Sequence, residues 1–267
     1  MDRGSGKRGA YEDRYEPHML QRERYLIMGM LLALAAIAWV WLVWQAARMN
    51  TQAMGLTMGV SAVLFIALWV VMMVAMMFPT AAPMILTFRA VSADKRQQEY
   101  SFIATWVFVG AYLLVWSLSG VLAYVLALGV EILAAQSMWL MMNAVRFGGA
   151  VLVVAGLYQF SSLKHICLAK CRTPLQCVLD TWRDGYGGAF RMGLEHGATC
   201  LGCCWLLFVI LFPLGIMNIT AMILVTVLIY AEKSLPLGPQ ISQVMGAGLI
   251  VYGILVMFWP ALLPMGM

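Results

Sequence analysis

The sequence predicts an all-α protein, a polytopic transmembrane helical bundle, and three observations carry that prediction. Residues of the AVILMFWYC set make up 63% of the 267-residue chain and only 11% are charged; the mean hydropathy is +0.85, well outside the range of soluble globular domains. The apolar residues fall in long runs, and since a helix needs about 20 of them to cross the hydrocarbon core, the chain has room for about seven spans. Lys and Arg are dense in alternate loops and sparse in the others, as in a chain threaded back and forth across a bilayer.

The runs lie at 26–44, 59–82, 101–126, 137–160, 193–213, 216–231 and 243–262. The sixth is short, which leaves six spans with a re-entrant piece as the alternative. Residues 1–25 mix both charge signs with Gly and Pro and read as a mobile cytoplasmic tail, with His18 a solvated side chain, ahead of a transmembrane domain at 26–267. A long charged segment precedes the first run and no small-residue cleavage pattern follows it, so that run is expected to stay as an anchor.

Arg3, Lys7, Arg8, Arg14, Arg22 and Arg24 precede the first run; Arg89, Lys95 and Arg96 belong to the second loop; Lys164, Lys170, Arg172, Arg183 and Arg191 belong to the fourth. The loops between carry Arg48, Glu131 and, in PLGIMN, no charge. The N-terminus is therefore expected in the cytoplasm and, with seven spans, the C-terminus outside. The net charge of +5 reflects this bias and an attraction to anionic membrane lipid. Nucleic acid is not an expected partner, because no soluble domain is large enough to bind it.

The fourth loop, 161–192, is cytoplasmic in this topology. It opens SSLKHICLAKCRTPLQC, where a short interfacial helix would put Cys167 and Cys171 on one face and end at Pro174. The WRDGYGGAF that follows reads as a headgroup-level turn.

All six cysteines lie between positions 167 and 204. Thiols facing a reducing compartment disfavour structural disulfides and point to metal or redox chemistry. On the fifth span, at about 100° per residue, His196, Cys200 and Cys203 share a stripe of about 60°, with Cys204 on its flank. An imidazole and thiolates on one stripe form half of a soft-metal site, and an ionisable side chain inside a membrane needs a partner or a pathway. The competing reading is small-residue packing between helices, which suits Cys204 taken alone.

The second span carries VMMVAMMFPTAAPM. Met73 and Met77 share a face with Thr80 and Met84, Met76 lies beside them, and Pro79 and Pro83 are expected to bend the stripe and strip backbone carbonyls of partners. Thioether, imidazole and thiolate at similar depth suit Cu(I) better than a hard cation, although a methionine stripe without a ligand is the commoner case. Glu195 and Glu232, with Lys233, either form an interfacial salt-bridge cluster or orient a liganding imidazole from its second nitrogen. Arg146 needs a partner that the sequence does not name.

The stretches MMVAMMFPTAAPM, CLAKCRTPL, GLEHGATCLGCCWLLF, GIMN and AEKSLPLG, in that order, resemble a bacterial family described as predicted metal-binding integral membrane proteins, from about Val60 to the last span. The resemblance implies a polytopic metal-binding protein of the inner (cytoplasmic) membrane, with Cys167, Cys171, His196, Cys200, Cys203, Cys204 and the methionine pairs at motif positions; Cys177 is outside the pattern.

The function expected from these readings is binding of a soft metal, Cu(I) before others, for storage, handover or support of a copper-dependent membrane enzyme, with a copper chaperone or such an enzyme as partner. His196, Cys200 and Cys203 would be core ligands, Cys167 and Cys171 an exchanging pair, and Met73, Met76 and Met77 auxiliary. A transmembrane thiol–disulfide electron carrier and an assembly subunit with packing cysteines are the rivals. No nucleophile–base set, phosphate loop or pair of catalytic carboxylates suggests an enzyme.

Overall fold

The computed structural model describes residues 21–48, 55–95 and 98–262, and among them there is helix and no strand. Residues 1–20 of the expected tail, with His18, lie outside the described residues. In chain order the helices are α1 (Gln21–Arg48), α2 (Ala62–Lys95), α3 (Gln98–Gln136), α4 (Met138–Met142), α5 (Ala144–Tyr158), α6 (Ser162–Arg172), α7 (Pro174–Asp180), α8 (Gly185–Val209), α9 (Leu211–Leu214), α10 (Ile219–Ser234) and α11 (Gly238–Phe258).

Among the described residues five stretches are long and apolar enough to cross a membrane: Arg24–Arg48, Ala62–Ala93, Phe102–Gln136, Gly185–Leu214 and Gly238–Phe258. The two remaining apolar runs are built differently. The run at 137–160 is interrupted at Asn143, and its main part, α5, joins α6 through a bend of 62°, so the two together make a sixth crossing only as one broken span. The run at 216–231 becomes α10, whose 16 residues rise about 24 Å, less than the hydrocarbon core. By contrast α3 has 39 residues, a rise of about 58 Å that outruns any bilayer core.

Local chemistry explains most boundaries. Ser137, Ser161 and Asn218 cap α4, α6 and α10, their side-chain oxygens accepting from the N–H of Leu140, Lys164 and Ala221. Pro174 opens α7 at the first-turn position where a missing N–H costs nothing, and Thr173 closes α6 before it. The glycine-rich segment after Trp182 is not the turn that its composition suggested. The chain turns at 181–184 and α8 starts at Gly185, so Gly187 and Gly188 lie within the helix, where the bare backbone of Gly188 accommodates the Arg183 carbonyl.

Both prolines of α2 sit inside a helix that continues from Ala62 to Lys95. Pro79 has no N–H for the carbonyl of Ala75, and the indole Nε1 of Trp39 on α1 donates to that oxygen at 3.1 Å instead. Thr80 and Thr87 hydroxyls donate to the carbonyls of Met77 (3.0 Å) and Pro83 (2.8 Å). The neighbouring helix thus supplies the partner that Pro79 removes from the Ala75 carbonyl.

The bundle is held by close helix crossings. α3 crosses α8 at Gly193 and Gly197, four residues apart, where a Cβ on Gly197 would meet Val115 at 2.9 Å. α5 and α11 cross through two glycine contacts seven residues apart: a Cβ on Gly149 would lie 2.8 Å from the Gly253 carbonyl, and one on Gly156 would lie 2.7 Å from that of Gly246. Small residues at such spacing let the two helix backbones touch. Gly156→Ala is accordingly expected to destabilise the protein by about 1–3 kcal/mol through overpacking, seen as a lower unfolding midpoint in detergent, whereas the same change at Gly248, which has open space around it, should be close to neutral.

Candidate metal centre

α8 carries the site because its small residues admit α3 on one side and α6 on another. Cys200, Cys203 and Cys204 succeed one another at one helical turn, and their sulfurs all lie within 4.8 Å of one another. The Sγ atoms of Cys203 and Cys204 are 3.1 Å apart, and the Cys203 thiol donates to the Cys200 carbonyl at 3.1 Å. The three residues are at most 1% exposed, and all six cysteines are free thiols.

Three further groups close on this cluster. From α6, Cys171 brings its Sγ to 3.9 Å from that of Cys203. From α10, the Lys233 ammonium donates to Cys200 Sγ at 3.0 Å. From α3, the Tyr112 hydroxyl lies 3.2 Å from the same sulfur. Cys167, one turn before Cys171, is half-buried beside Gly202, whose missing side chain leaves room for its sulfur.

Why α6 holds Cys171 there follows from two anchors on α10. Lys164 is buried and donates to Glu232 Oε1 at 3.0 Å and Oε2 at 2.8 Å, and also to the Gln159 side-chain oxygen. Gln159 in turn accepts from the Ser242 hydroxyl of α11 at 3.2 Å. At the other end of α6, Arg172 donates to the backbone carbonyls of Glu232 (2.8 Å) and Pro236 (3.0 Å), satisfying the open C-terminus of α10. Glu232 and Lys233, adjacent in sequence, therefore serve different helices: one ties down α6, the other faces the Cys200 sulfur.

His196 is buried one turn before Cys200, with its ring stacked against Tyr112 (centroids 5.5 Å) and Phe108 (5.9 Å), and it is not a member of the close sulfur group. Glu195 does not join Glu232: it pairs with Arg191 at 3.2 Å on the exposed side of α8. Met73, Met76 and Met77 are fully buried on α2, a helix that packs mainly on α1 and α3. Arg146 finds its partner one turn back, the Asn143 side-chain oxygen at 3.0 Å, in the exposed first turn of α5. Cys177 is half-buried on α7; burial raises its thiol pKa, with Lys170 pulling it down and Asp180 and Glu195 pushing it up, a setting that suppresses the reactive thiolate.

Tyr112 and Lys164 are not among the site residues that the sequence singles out, and it offers Lys233 only as part of a cluster with Glu195 and Glu232, not as a partner of a sulfur. A signal existed for Lys233, since a lysine that ends a helix too short to reach both membrane surfaces cannot be assumed to reach water.

A bundle of membrane-length helices around a buried thiol cluster with a lysine beside it defines a class: a helical protein with a soft, thiol-based candidate metal centre. The model of the PpoB2 family, described as copper chaperone, matches residues 66–256, and the chain belongs to that family. That range contains all six cysteines and the lysine. Searches among curated proteins and among solved structures gave no match.

Proposed function

We propose that the protein is an integral membrane carrier of Cu(I), holding the ion at Cys200, Cys203 and Cys204 and exchanging it through Cys171 and Cys167 with a soluble copper chaperone or a copper-dependent membrane enzyme. The observation that carries this reading is the sulfur cluster with Lys233 against it. Two thiolates on one ion at about 2.3 Å, the length of a zinc–thiolate bond, can be at most about 4.6 Å apart, so sulfurs within 4.8 Å need only small side-chain adjustments to share one. Soft thiolates select Cu(I). With two of the three sulfurs as thiolates and the third kept as a thiol, the Cu(I) site carries one net negative charge, which would be costly to bury alone; the Lys233 ammonium balances it.

Copper enters this reading as cargo, and the protein as a binder rather than a catalyst. His196 and the α2 methionines have subordinate places in it, as an additional donor and as soft contacts along the way. The five membrane-length helices and the exposed Leu118, Leu122, Val125 and Leu126 of α3, a patch too apolar for water, support an integral membrane setting; the loop charges support a cytoplasmic N-terminus, and the family resemblance supports the bacterial inner membrane.

The test is metal and thiol counting on detergent-purified protein, combined with thiol labelling in oriented vesicles. Copper is expected in the protein, and an impermeant thiol reagent should reach Cys167 and Cys171 in inside-out vesicles only, less so after Cu(I) loading. Protein that takes up no Cu(I) would remove the carrier reading; labelling from the opposite face would reverse the topology.

A further inference from the structure

A second group of sulfurs lies elsewhere in the fold. A cavity of about 10 Å³ is lined by Met58, Met72 and Met217 together with Phe65 and Trp69, room for about one water-sized sphere. The three methionines come from separate places: Met58 from the turn before α2, Met72 from α2, and Met217 from the turn between α9 and α10. None of the cysteines lines this cavity, so its methionines form a group separate from the cysteine centre.

The turn that supplies Met58 is held in a costly conformation. Met58 has φ 57°, the one positive value among the described non-glycine residues, a region that a long side chain occupies only when its surroundings impose it. The Glu131 carboxylate imposes it, accepting from the Thr57 N–H and from the Thr57 hydroxyl, each at 2.8 Å, while the Met58 N–H donates to the Gly55 carbonyl at 3.1 Å. The result is a buried Met58, 7% exposed, lining a cavity that Met72 and Met217 also line, with a carboxylate bonded to the residue before it.

We propose that this pocket is a second soft-metal site, in which the thioethers of Met58, Met72 and Met217 take a monovalent soft cation, Cu(I) or its analogue Ag(I). Thioethers are neutral soft donors. They need no deprotonation and form no disulfides, so such a site operates where thiols would be oxidised. Glu131, bonded to the residue that precedes Met58, supplies the negative charge that a monovalent ion among apolar side chains requires. Met76, one turn along α2 from Met72, continues the thioether face into the core. The site does not depend on the cysteine centre.

The experiment titrates Ag(I) into the full-length chain, in detergent at neutral pH, with all six cysteines replaced by serine. One Ag(I) per chain is expected, and Met58→Leu, Met72→Leu and Met217→Leu together, which keep the volume but remove the sulfur, should weaken it at least tenfold. Glu131→Gln should weaken it several-fold. A cysteine-free chain that binds no Ag(I), or a triple variant that binds it like its parent, overturns the proposal. If the cysteine-free chain does not fold, the native-cysteine chain decides: it should hold one more Ag(I) than its triple-methionine variant, and equal counts overturn the site. Loss of Cu(I) at Cys200 and Cys203 is read separately, so either centre can fail without the other.

Discussion

Cys200→Ser combined with Cys203→Ser is expected to lower Cu(I) affinity by more than about 100-fold, measured by competition with a chromophoric Cu(I) chelator at neutral pH. Groups that only orient a ligand are worth 10–100-fold in metal affinity, and removing two of the donors themselves must exceed that. Serine keeps the volume in a cluster that is at most 1% exposed but offers a hard oxygen that does not ionise near neutrality. Lys233→Met should give a smaller loss, about 10–100-fold, because it removes the charge 3.0 Å from Cys200 Sγ while leaving every sulfur in place. His196→Ala should also weaken binding, and less than either. Parent-like affinity in the double cysteine variant would remove the centre. Parent-like copper binding in His196→Ala, with Cys171 and Cys203 cycling between dithiol and disulfide, would instead favour the electron-carrier reading, for which the 3.9 Å approach of those two sulfurs from different helices is the supporting geometry.

Lys164→Met should be the most destabilising single change at this end of the bundle, about 3–5 kcal/mol. Lys164 and Glu232 are 0% and 1% exposed and 2.8 Å apart, so truncating one leaves a buried charge without its partner. The pair is expensive to form as well as to break, and a double change to Lys164→Met with Glu232→Met should therefore recover most of the loss. The measurement is the unfolding midpoint in detergent, read beside the labelling rate of Cys171, which should rise in the single variant as α6 loosens and return toward the parent in the double. A Lys164→Met protein that melts with the parent would show that the pair does not hold α6.

Much of this molecule follows from its chain alone. Length and hydropathy of the apolar runs at 26–44, 59–82, 101–126, 193–213 and 243–262 are enough to place five membrane-length helices, because a helix satisfies its own backbone and needs only apolar side chains to lie in lipid. Helical periodicity likewise puts Cys200 and Cys203 on one stripe, and Pro174 marks a helix boundary through its missing N–H and fixed φ. These are local properties, determined within a turn or two of the residues concerned.

What only the tertiary structure decided depends on helices far apart in sequence. Cys204 joins the sulfur group rather than the packing flank, while His196, on the same stripe, is taken up by the rings of Phe108 and Tyr112; neither outcome can be read from angles on one helix. Lys233 turns toward Cys200 and Glu232 toward Lys164 because α6 and α10 meet there, 68 residues apart for the ion pair. The partner that Pro79 costs the Ala75 carbonyl comes from Trp39, 36 residues earlier. A buried polar or charged group must be satisfied by whatever side chain the fold brings within hydrogen-bond reach. The sequence shows that such a partner is needed, and only the packing of helices shows which residue it is.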